Sequence, residues 1–327
     1  MSARSAGPTG TPAPPAAHDP GTGDGTGAVR DRLRAALAAT TGRLGAAGVP
    51  SPSADARSLI ALAAGTDRPL VLLDRLPTGF EARLEEFVSR REAREPLQLI
   101  EGYAAFRRLR IAVRPGVFIP RPETELAVDL LRQHHRGPLV RLADLCTGSG
   151  ALAAALLDEL PGVTVLAIDV DEDAVDLARR NTDPWSDRAE VRRADLTDPD
   201  ALADVPRLDA IVSNPPYVPA AAVPQEIEVL RHDPPRALYG GGQDGLDLPR
   251  AVIEHARRQL RPGGLLIMEH ADVQGEATRD LARRIGGFED LTTCPDLTGR
   301  DRFLLARRDD HERGTELMSD GSERLTR

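Results

Sequence analysis

The residues with the clearest chemistry are Asn214, Pro215, Pro216 and Tyr217, which follow the apolar run 208–213. Two consecutive prolines cannot donate ladder hydrogen bonds, so they end the strand directly after Asn214. A planar NH2 nitrogen is a poor nucleophile because its lone pair is delocalised. If the Asn214 side-chain oxygen and the Pro215 carbonyl each accept one of its hydrogens, that nitrogen is held in line with an electrophilic methyl group, while Tyr217 packs on a flat substrate group. The same residues are also typical of a strand-ending turn with a buried tyrosine.

A glycine-rich turn lies upstream, at residues 144–150 (DLCTGSG), after a predicted strand at 139–145. Gly148 and Gly150 lack Cβ atoms, so a ligand can approach the turn closely and a helix can begin directly beneath it. The segment 148–153 also satisfies the G-x-G-x-x-A form of a dinucleotide fingerprint. A glycine turn with a purely structural role fits the same residues.

Two carboxylates follow the next predicted strands. Asp169 ends the second strand, where a carboxylate can accept both hydroxyls of an adenosine ribose, although a helix cap shared with Asp171 fits as well. Asp195 ends the third strand, where it can accept from an adenine amino group or simply form a turn. Together they indicate an adenosine-containing cofactor, either NAD or S-adenosylmethionine. The Asn214 strand end favours S-adenosylmethionine, because hydride transfer has no use for a pair of amide acceptors.

The elements that must position these residues alternate along the chain. Alternating strands and helices predict an α/β fold, a Rossmann-like and mostly parallel sheet with helices on both faces. Ligands of such sheets bind outside the carboxyl ends of the strands. The predicted strands are 139–145, 163–170, 190–193, 208–213 and 264–269, and the predicted helices are 151–160, 173–181 and 248–260.

The chain upstream and downstream of this region has a different character. Residues 1–28 are rich in proline, glycine and alanine, which predicts a disordered extension, and residues 309–327 predict a loose tail. Apolar residues recur at helical spacing in 29–101, which predicts a small helical domain. Short apolar and basic bursts in 102–118 predict a hairpin linker before an α/β domain at 119–308.

Composition narrows the functional classes. No apolar run approaches the length of a membrane helix and no signal-peptide core is evident, so we expect a cytoplasmic protein without membrane contact. The two cysteines cannot form a disulfide framework, and no metal-ligand spacing occurs. The net charge is -9, with the basic excess confined to residues 29–118, so we expect no direct nucleic-acid contact at the α/β domain.

Three segments resemble a known family. Asn214–Tyr217 resembles the (N/D/S)PP(Y/F/W) signature of amino-group methyltransferases, and residues 144–150 resemble the cofactor motif of class I S-adenosylmethionine methyltransferases. The segment 119–125 (IPRPETE) is similar to the one before the catalytic domain in HemK-type protein-(glutamine-N5) methyltransferases, which modify peptide chain release factors. The resemblance runs from about Arg90 to Arg307. Its further matches are Glu95-Pro96, Gly102, Asp233-Pro234, Ala237-Leu238, Asp244-Gly245-Leu246, Glu269, Gln274, Asp296-Leu297 and Gly299 to Arg302.

The resemblance implies a class I methyltransferase fold, with 119–308 as the methyltransferase domain and 29–101 as the substrate-recognition domain. It implies that Asn214–Tyr217 receive the glutamine of the Gly-Gly-Gln loop of a class I release factor, and we expect the enzyme to be a monomer. Three positions depart from the family pattern: Cys146 replaces a common glycine, Leu196 an aromatic residue and Leu99 a tyrosine. The S-adenosylmethionine contacts that the resemblance implies are Cys146, Thr147, Gly148, Ser149, Gly150, Asp169, Leu196 and Asn214, and its strand-end position adds Asp195 to this predicted set.

Other functions share parts of this pattern. A related glutamine methyltransferase acting on a ribosomal protein would use the same site chemistry. An adenine-N6 DNA methyltransferase would stack a flipped base on Tyr217 but would need a basic recognition region beside the site. A non-catalytic binding protein would not bind S-adenosylmethionine, and a dehydrogenase would require the residues 214–217 to be accidental.

Overall fold

The computed structural model describes residues 23–310, and its two compact units divide between Ala93 and Arg94. The predicted loose segments at 1–22 and 311–327 lie outside the described residues. Helix α1 begins at Gly23, so residues 23–28 are helical rather than part of a disordered extension. The physical reason is that extending an existing helix gains one hydrogen bond for each residue fixed.

The first unit consists of helices at the positions where helical spacing predicts them. They are α1 (Gly23–Ala46), α2 (Pro52–Ala64) and α3 (Phe80–Glu92), with a 3-10 turn at Leu70–Leu72. Pro52 opens α2 with a φ already suited to a helix, and Gly65 ends it in the left-handed conformation. Arg91 and Asp55 form a buried ion pair at 2.8 Å. The apolar core contains Leu33, Leu44, Leu59, Ile60, Phe80, Leu84 and Val88.

The second unit begins at Arg94. Helix α4 (Leu97–Glu101), which the sequence analysis placed in the helical domain, falls in this unit, and its Leu99 packs with Ala104, Val113 and Ile119. An antiparallel hairpin follows, with β1 at Tyr103–Phe106 and β2 at Leu109–Ala112. A 3-10 turn at Pro122–Glu125 then leads into α5 (Leu126–His134).

The main sheet of the second unit has the order β5-β4-β3-β6-β7-β9-β8. All five predicted strands are present, and they pair in parallel. The last two strands were not predicted from the sequence, and they pair antiparallel at one edge of the sheet. The strands are β3 (Arg141–Leu145), β4 (Thr164–Asp169), β5 (Ala189–Arg193), β6 (Leu208–Ser213), β7 (Leu260–Glu269), β8 (Phe288–Pro295) and β9 (Asp301–Arg308).

Helices cover both faces of this sheet, as predicted. Successive residues of β3 point to opposite faces, so Leu142 joins one apolar cluster and Ala143 the other. The connecting helices are α6 (Ala151–Glu159), α7 (Glu172–Thr182), α8 (Ile227–His232), α9 (Asp247–Gln259) and α10 (Gly275–Ile285). Because β3 lies between β4 and β6, the strand order reverses beside it, and such a switch point leaves a crevice at the carboxyl edge. None of the helices in residues 23–310 has the length and apolar character needed to span a membrane.

Candidate active site

A cavity opens at the carboxyl edge of the parallel strands and collects most of the predicted cofactor residues. Side chains from the hairpin linker, including Val117 and Phe118, also line it, as do Thr124 and Arg236 from outside the strand ends. Of the predicted cofactor and acceptor residues, Gly150, Pro215 and Tyr217 do not line this cavity. Those that do are Cys146, Thr147, Gly148, Ser149, Asp169, Asp195, Leu196, Asn214 and Pro216.

The two glycines of the turn are required for different reasons. Gly148 has a φ of +55°, and a Cβ built there would meet no atom within 4 Å, so it faces the open cavity. Gly150 has a φ of +78°, and a Cβ there would lie 2.9 Å from the Cα of Ala178 in α7. Close ligand approach is therefore possible at Gly148, whereas Gly150 allows the turn to pack directly on a helix.

A buried acid beneath the turn holds it in place. The Asp144 carboxylate accepts hydrogen bonds from the Thr147 hydroxyl at 2.6 Å and from the Ala153 amide at 3.0 Å. Burial raises the pKa of Asp144 to about 7. These bonds join the end of β3, the glycine turn and the first turn of α6 into one unit.

Asp169 lies at the end of β4 and faces the cavity. One carboxylate oxygen accepts from the Gly148 amide at 2.9 Å and the other from the Asp171 amide at 3.0 Å. The N-cap of α7 is Asp171, which accepts from the Asp173 amide, so the capping role does not fall on Asp169. A carboxylate has about four acceptor positions, so Asp169 keeps capacity for two ribose hydroxyls.

Asp195 and Leu196 form another part of the wall. One oxygen of Asp195 accepts from the amide and the hydroxyl of Thr197, at 2.9 and 2.8 Å, and these bonds lower the pKa of Asp195. Asp195 therefore forms a turn, which is one of the two roles that the sequence allowed, and its side chain also lines the cavity. Leu196 is buried and presents an apolar surface suited to a flat ring.

Cys146 adopts a backbone conformation that favours glycine. Its φ is +60°, in the left-handed region that side chains with a Cβ seldom occupy. Burial raises the pKa of the Cys146 thiol above its usual range, so the side chain contributes a neutral, weakly polar wall. The loop keeps the shape that glycine would allow, because neighbouring bonds impose it.

The Asn214 side chain is oriented by a hydrogen bond on one side only. Its amide nitrogen donates to the Thr124 hydroxyl at 3.0 Å. Within residues 23–310, no protein donor bonds the Asn214 side-chain oxygen or the Pro215 carbonyl. Two acceptor atoms in adjacent residues are thus available, and the first of these residues, Asn214, lines the cavity.

Tyr217 lies on a second cavity, and Phe118 lines both. The Tyr217 hydroxyl donates to Glu269 at 3.1 Å, so the ring is held by its polar end. The residues 214–217 therefore contribute to two neighbouring cavities, one through Asn214 and Pro216 and the other through Tyr217. The second cavity is lined further by Arg121, Glu123, Pro224, Gln225, Glu226, Val229, Leu238, Glu269 and Arg302.

Two residues that contact the 214–217 segment were not assigned to the site from the sequence. Thr124 donates its hydroxyl hydrogen to Glu269 at 2.6 Å while accepting from Asn214. Glu269 is buried at the end of β7, and burial raises its pKa to about 7. Both positions lie in segments that resemble the family, but neither was predicted to belong to the site.

The segment that follows Tyr217 is tied down by ion pairs. Arg94 forms a two-bond pair with Glu228, with both distances 2.7 Å. Arg121 pairs with the buried Asp233. A third pair joins Arg236 to Asp171 across the rim of the first cavity at 3.0 Å. These pairs hold the chain after residue 217 against the strand ends.

Comparison with family models identifies both parts of the chain. Residues 108–293 match the Methyltransferase small domain, which is more than half of the chain. Residues 35–102 match the PrmC N-terminal domain, so this match extends past the boundary between the two compact units.

Curated relatives resemble nearly the whole chain. The release factor glutamine methyltransferase of Streptomyces coelicolor is 45% identical over 84% of this chain and 98% of its own. Those of Mycobacterium leprae and Moorella thermoacetica are 42% and 39% identical, over 85% and 84% of this chain and 97% and 98% of theirs. Among solved structures, a methyltransferase from Pyrococcus furiosus is 22% identical over 62% of this chain and 90% of its own, with a TM-score of 0.45.

Proposed function

Since this chain belongs to the family of release factor glutamine methyltransferases, we propose that it methylates the side-chain amide nitrogen of the glutamine in the Gly-Gly-Gln motif of class I peptide chain release factors. S-adenosylmethionine is the methyl donor. The observation that carries the proposal is that Asn214 lines the cofactor cavity and that, within residues 23–310, no protein donor bonds its side-chain oxygen or the carbonyl of the adjacent Pro215. Methylation of this glutamine supports translation termination.

The acceptor pair explains how a weak nucleophile can react. Each acceptor takes one hydrogen of the substrate amide, so the nitrogen lone pair is directed at the cofactor cavity. When bound, S-adenosylmethionine supplies an electrophilic methyl group on a sulfonium. The nitrogen forms the new bond to the methyl carbon, the carbon–sulfur bond breaks with its electron pair left on sulfur, and the product nitrogen then releases one proton to water. No strong base is required, because the protonated product amide is very acidic.

The cofactor cavity fits an adenosine-containing ligand. We assign the ribose hydroxyls to Asp169 and the adenine to Asp195 and Leu196. The open face of Gly148 accommodates the part of the cofactor nearest the turn, and Cys146, Thr147 and Ser149 complete that wall. The structural role of Gly150 in packing on Ala178 makes its contribution to the cofactor indirect.

The remaining features of the proposal concern the partner. We assign recognition of the release factor body to the helical N-terminal unit, because residues 35–102 match the PrmC N-terminal domain. We propose that the enzyme acts as a monomer in the cytoplasm, where release factors work, and that it makes no direct contact with nucleic acid. The acidic character of the chain after residue 118 supports that last point.

The test is a methylation assay with mass spectrometry. Purified protein is incubated with S-adenosylmethionine and, separately, with class I release factors, a ribosomal protein and DNA. We expect one methyl group on the Gly-Gly-Gln glutamine and none on a release factor whose glutamine is replaced by alanine. A methyl group found only on ribosomal protein or on adenine would overturn the proposal.

The chain offers its own control for this assay. Residues 241–243 read Gly-Gly-Gln, and Gln243 is exposed in the enzyme itself. Gln243→Ala therefore removes the internal copy without touching either cavity. We expect this variant to methylate the release factor at the wild-type rate, whereas Asn214→Ala does not.

A further inference from the structure

Asn214 is useful as an acceptor only if its amide faces the right way. An asparagine amide carries an oxygen that accepts and a nitrogen that donates, at nearly the same positions in the two flipped orientations. Under the proposed function, on which this inference rests, the oxygen must face the substrate NH2 group. In the reversed orientation the NH2 group of Asn214 would face the NH2 group of the substrate, and the two groups would repel each other.

Thr124 can distinguish the two orientations because a hydroxyl has a single hydrogen. That hydrogen is donated to Glu269 at 2.6 Å, a short bond typical of a charged acceptor. The Thr124 oxygen is then able only to accept, and it accepts from the Asn214 nitrogen at 3.0 Å. The Asn214 oxygen must therefore point away from Thr124.

We propose that Thr124 and Glu269 are positioning residues that lock the Asn214 amide with its oxygen toward the acceptor nitrogen. Glu269 also accepts from the Tyr217 hydroxyl at 3.1 Å, so one carboxylate fixes both ends of the 214–217 segment. The three side chains come from distant parts of the sequence, and neither Thr124 nor Glu269 needs to touch the reacting atoms.

The fixed orientation of the Asn214 amide depends on the charge of Glu269. When Glu269 is protonated, its own hydrogen can be donated to the Thr124 oxygen, which frees the Thr124 hydrogen to bond the Asn214 oxygen and allows the amide to flip. The groups that face Glu269 are Thr124, Tyr217, Arg302 and Glu123. Arg302 favours the charged form but is shared with Asp296 at 3.2 Å, whereas Glu123 and burial favour the neutral form. Burial is the largest of these influences and raises the pKa of Glu269 to about 7.

The experiment compares Thr124→Val, Thr124→Ser and Glu269→Gln with the wild type. Single-turnover methylation of a release factor is measured from pH 6 to pH 9, together with S-adenosylmethionine affinity by calorimetry and thermal unfolding. Valine matches threonine in shape but has no hydroxyl to accept from Asn214 and donate to Glu269. We therefore expect the methylation rate of Thr124→Val to fall about 100-fold, as for a misplaced catalytic group, with cofactor affinity unchanged. Serine keeps the hydroxyl and should restore the rate to within about fivefold.

The pH profile separates positioning from simple structural support. We expect the wild-type rate to rise with pH as Glu269 ionises, and Glu269→Gln to lack that rise and to stay near the low-pH wild-type rate. Equal rates for Thr124→Val and wild type, equal damage from serine and valine, or a wild-type profile without this rise would each overturn the inference. If Glu269→Gln does not fold, the valine and serine pair still decides. A wild-type enzyme that fails to methylate the glutamine would instead refute the proposed function.

Discussion

The cofactor side and the acceptor side of the site are held together by contacts of very different reach. On the cofactor side, Thr147 bonds Asp144 three positions away and Gly148 bonds Asp169 at a separation of 21 residues. On the acceptor side, the bond from Asn214 to Thr124 spans 90 positions and the bond from Thr124 to Glu269 spans 145. The first side is thus a property of adjacent strand–turn–helix units, and the second exists only once the whole sheet has formed.

The difference teaches how the two halves divide the chemistry. Under the proposed function, the carboxylates and backbone groups of the cofactor side recognise a ligand through many bonds. The acceptor side offers two oxygens whose value lies in their direction. We therefore expect changes on the cofactor side to alter affinity and changes on the acceptor side to alter the rate of methyl transfer.

The largest effect is expected for Asn214→Ala. Loss of one oriented hydrogen-bonding group in an active site typically lowers turnover by about 100- to 1000-fold. We expect a fall of that size in kcat, while the Kd for S-adenosylmethionine, measured by calorimetry, changes much less. A large rise in Kd with unchanged kcat would place Asn214 on the cofactor side of the comparison.

Asp169→Ala should show the opposite pattern. Removing a carboxylate that accepts two ribose hydroxyls costs about 3 kcal/mol, which corresponds to a rise of about 100-fold in the Kd for S-adenosylmethionine. At saturating cofactor, kcat should stay close to that of the wild type. Asp173→Ala is the matched control, because Asp173 is an exposed acid in the next helix that does not line the cavity. Equal losses of affinity in the two variants would contradict the assignment.

The two glycines of the turn should differ in how much their substitution lowers the free energy of unfolding. Gly150→Ala combines a left-handed φ with a Cβ 2.9 Å from Ala178 Cα, which should lower the free energy of unfolding by about 3 kcal/mol. Gly148→Ala meets no atom and should cost only about 1 kcal/mol, from the left-handed φ alone. Urea unfolding of both variants measures the difference, and equal costs would show that packing on α7 is not what requires Gly150.

The last expected effect is a gradual, pH-dependent one at Asp144. The native pKa of about 7 lies above the ordinary value of 3.8, so between these two values the native state holds a proton that the unfolded state has released. Wild-type stability relative to Asp144→Asn should therefore fall as pH rises from 4 to 7, by at most about 1.4 kcal/mol per pH unit. The difference between the two unfolding free energies, measured at several pH values, removes the contribution of other groups. A difference that does not change with pH would mean that Asp144 is ionised throughout.

Much of the cofactor side could be predicted from the sequence. Strand β6 has the predicted bounds 208–213, and the glycine turn and Asp169 lie where the alternation of strands and helices places them. Family membership was also predicted correctly from the segments 119–125, 144–150 and 214–217. These features are local, so each can be recognised from residues close together in the chain.

Features that depend on distant packing were harder to predict. Strand β8 is an edge strand with mixed burial, so its sequence lacks the continuous apolar run that marks the central strands. The two compact units divide between Ala93 and Arg94, and the helical spacing around Leu99 does not reveal that helix α4 falls in the second unit. The same limit applies to Thr124, whose place in a 3-10 turn is compatible with a helix start.

The sequence by itself determined the fold class, the family and the residue types of the site, because periodicity, glycine turns and strand-end motifs are short-range properties of the chain. The tertiary structure decided which acceptor atoms are available and what orients them. The sequence of Asn214 and its two prolines does not fix whether the Asn214 side-chain amide presents its oxygen or its nitrogen to the site. Only the folded sheet brings the single hydrogen of Thr124 to Glu269 and thereby leaves the Asn214 oxygen as the end that points away from Thr124.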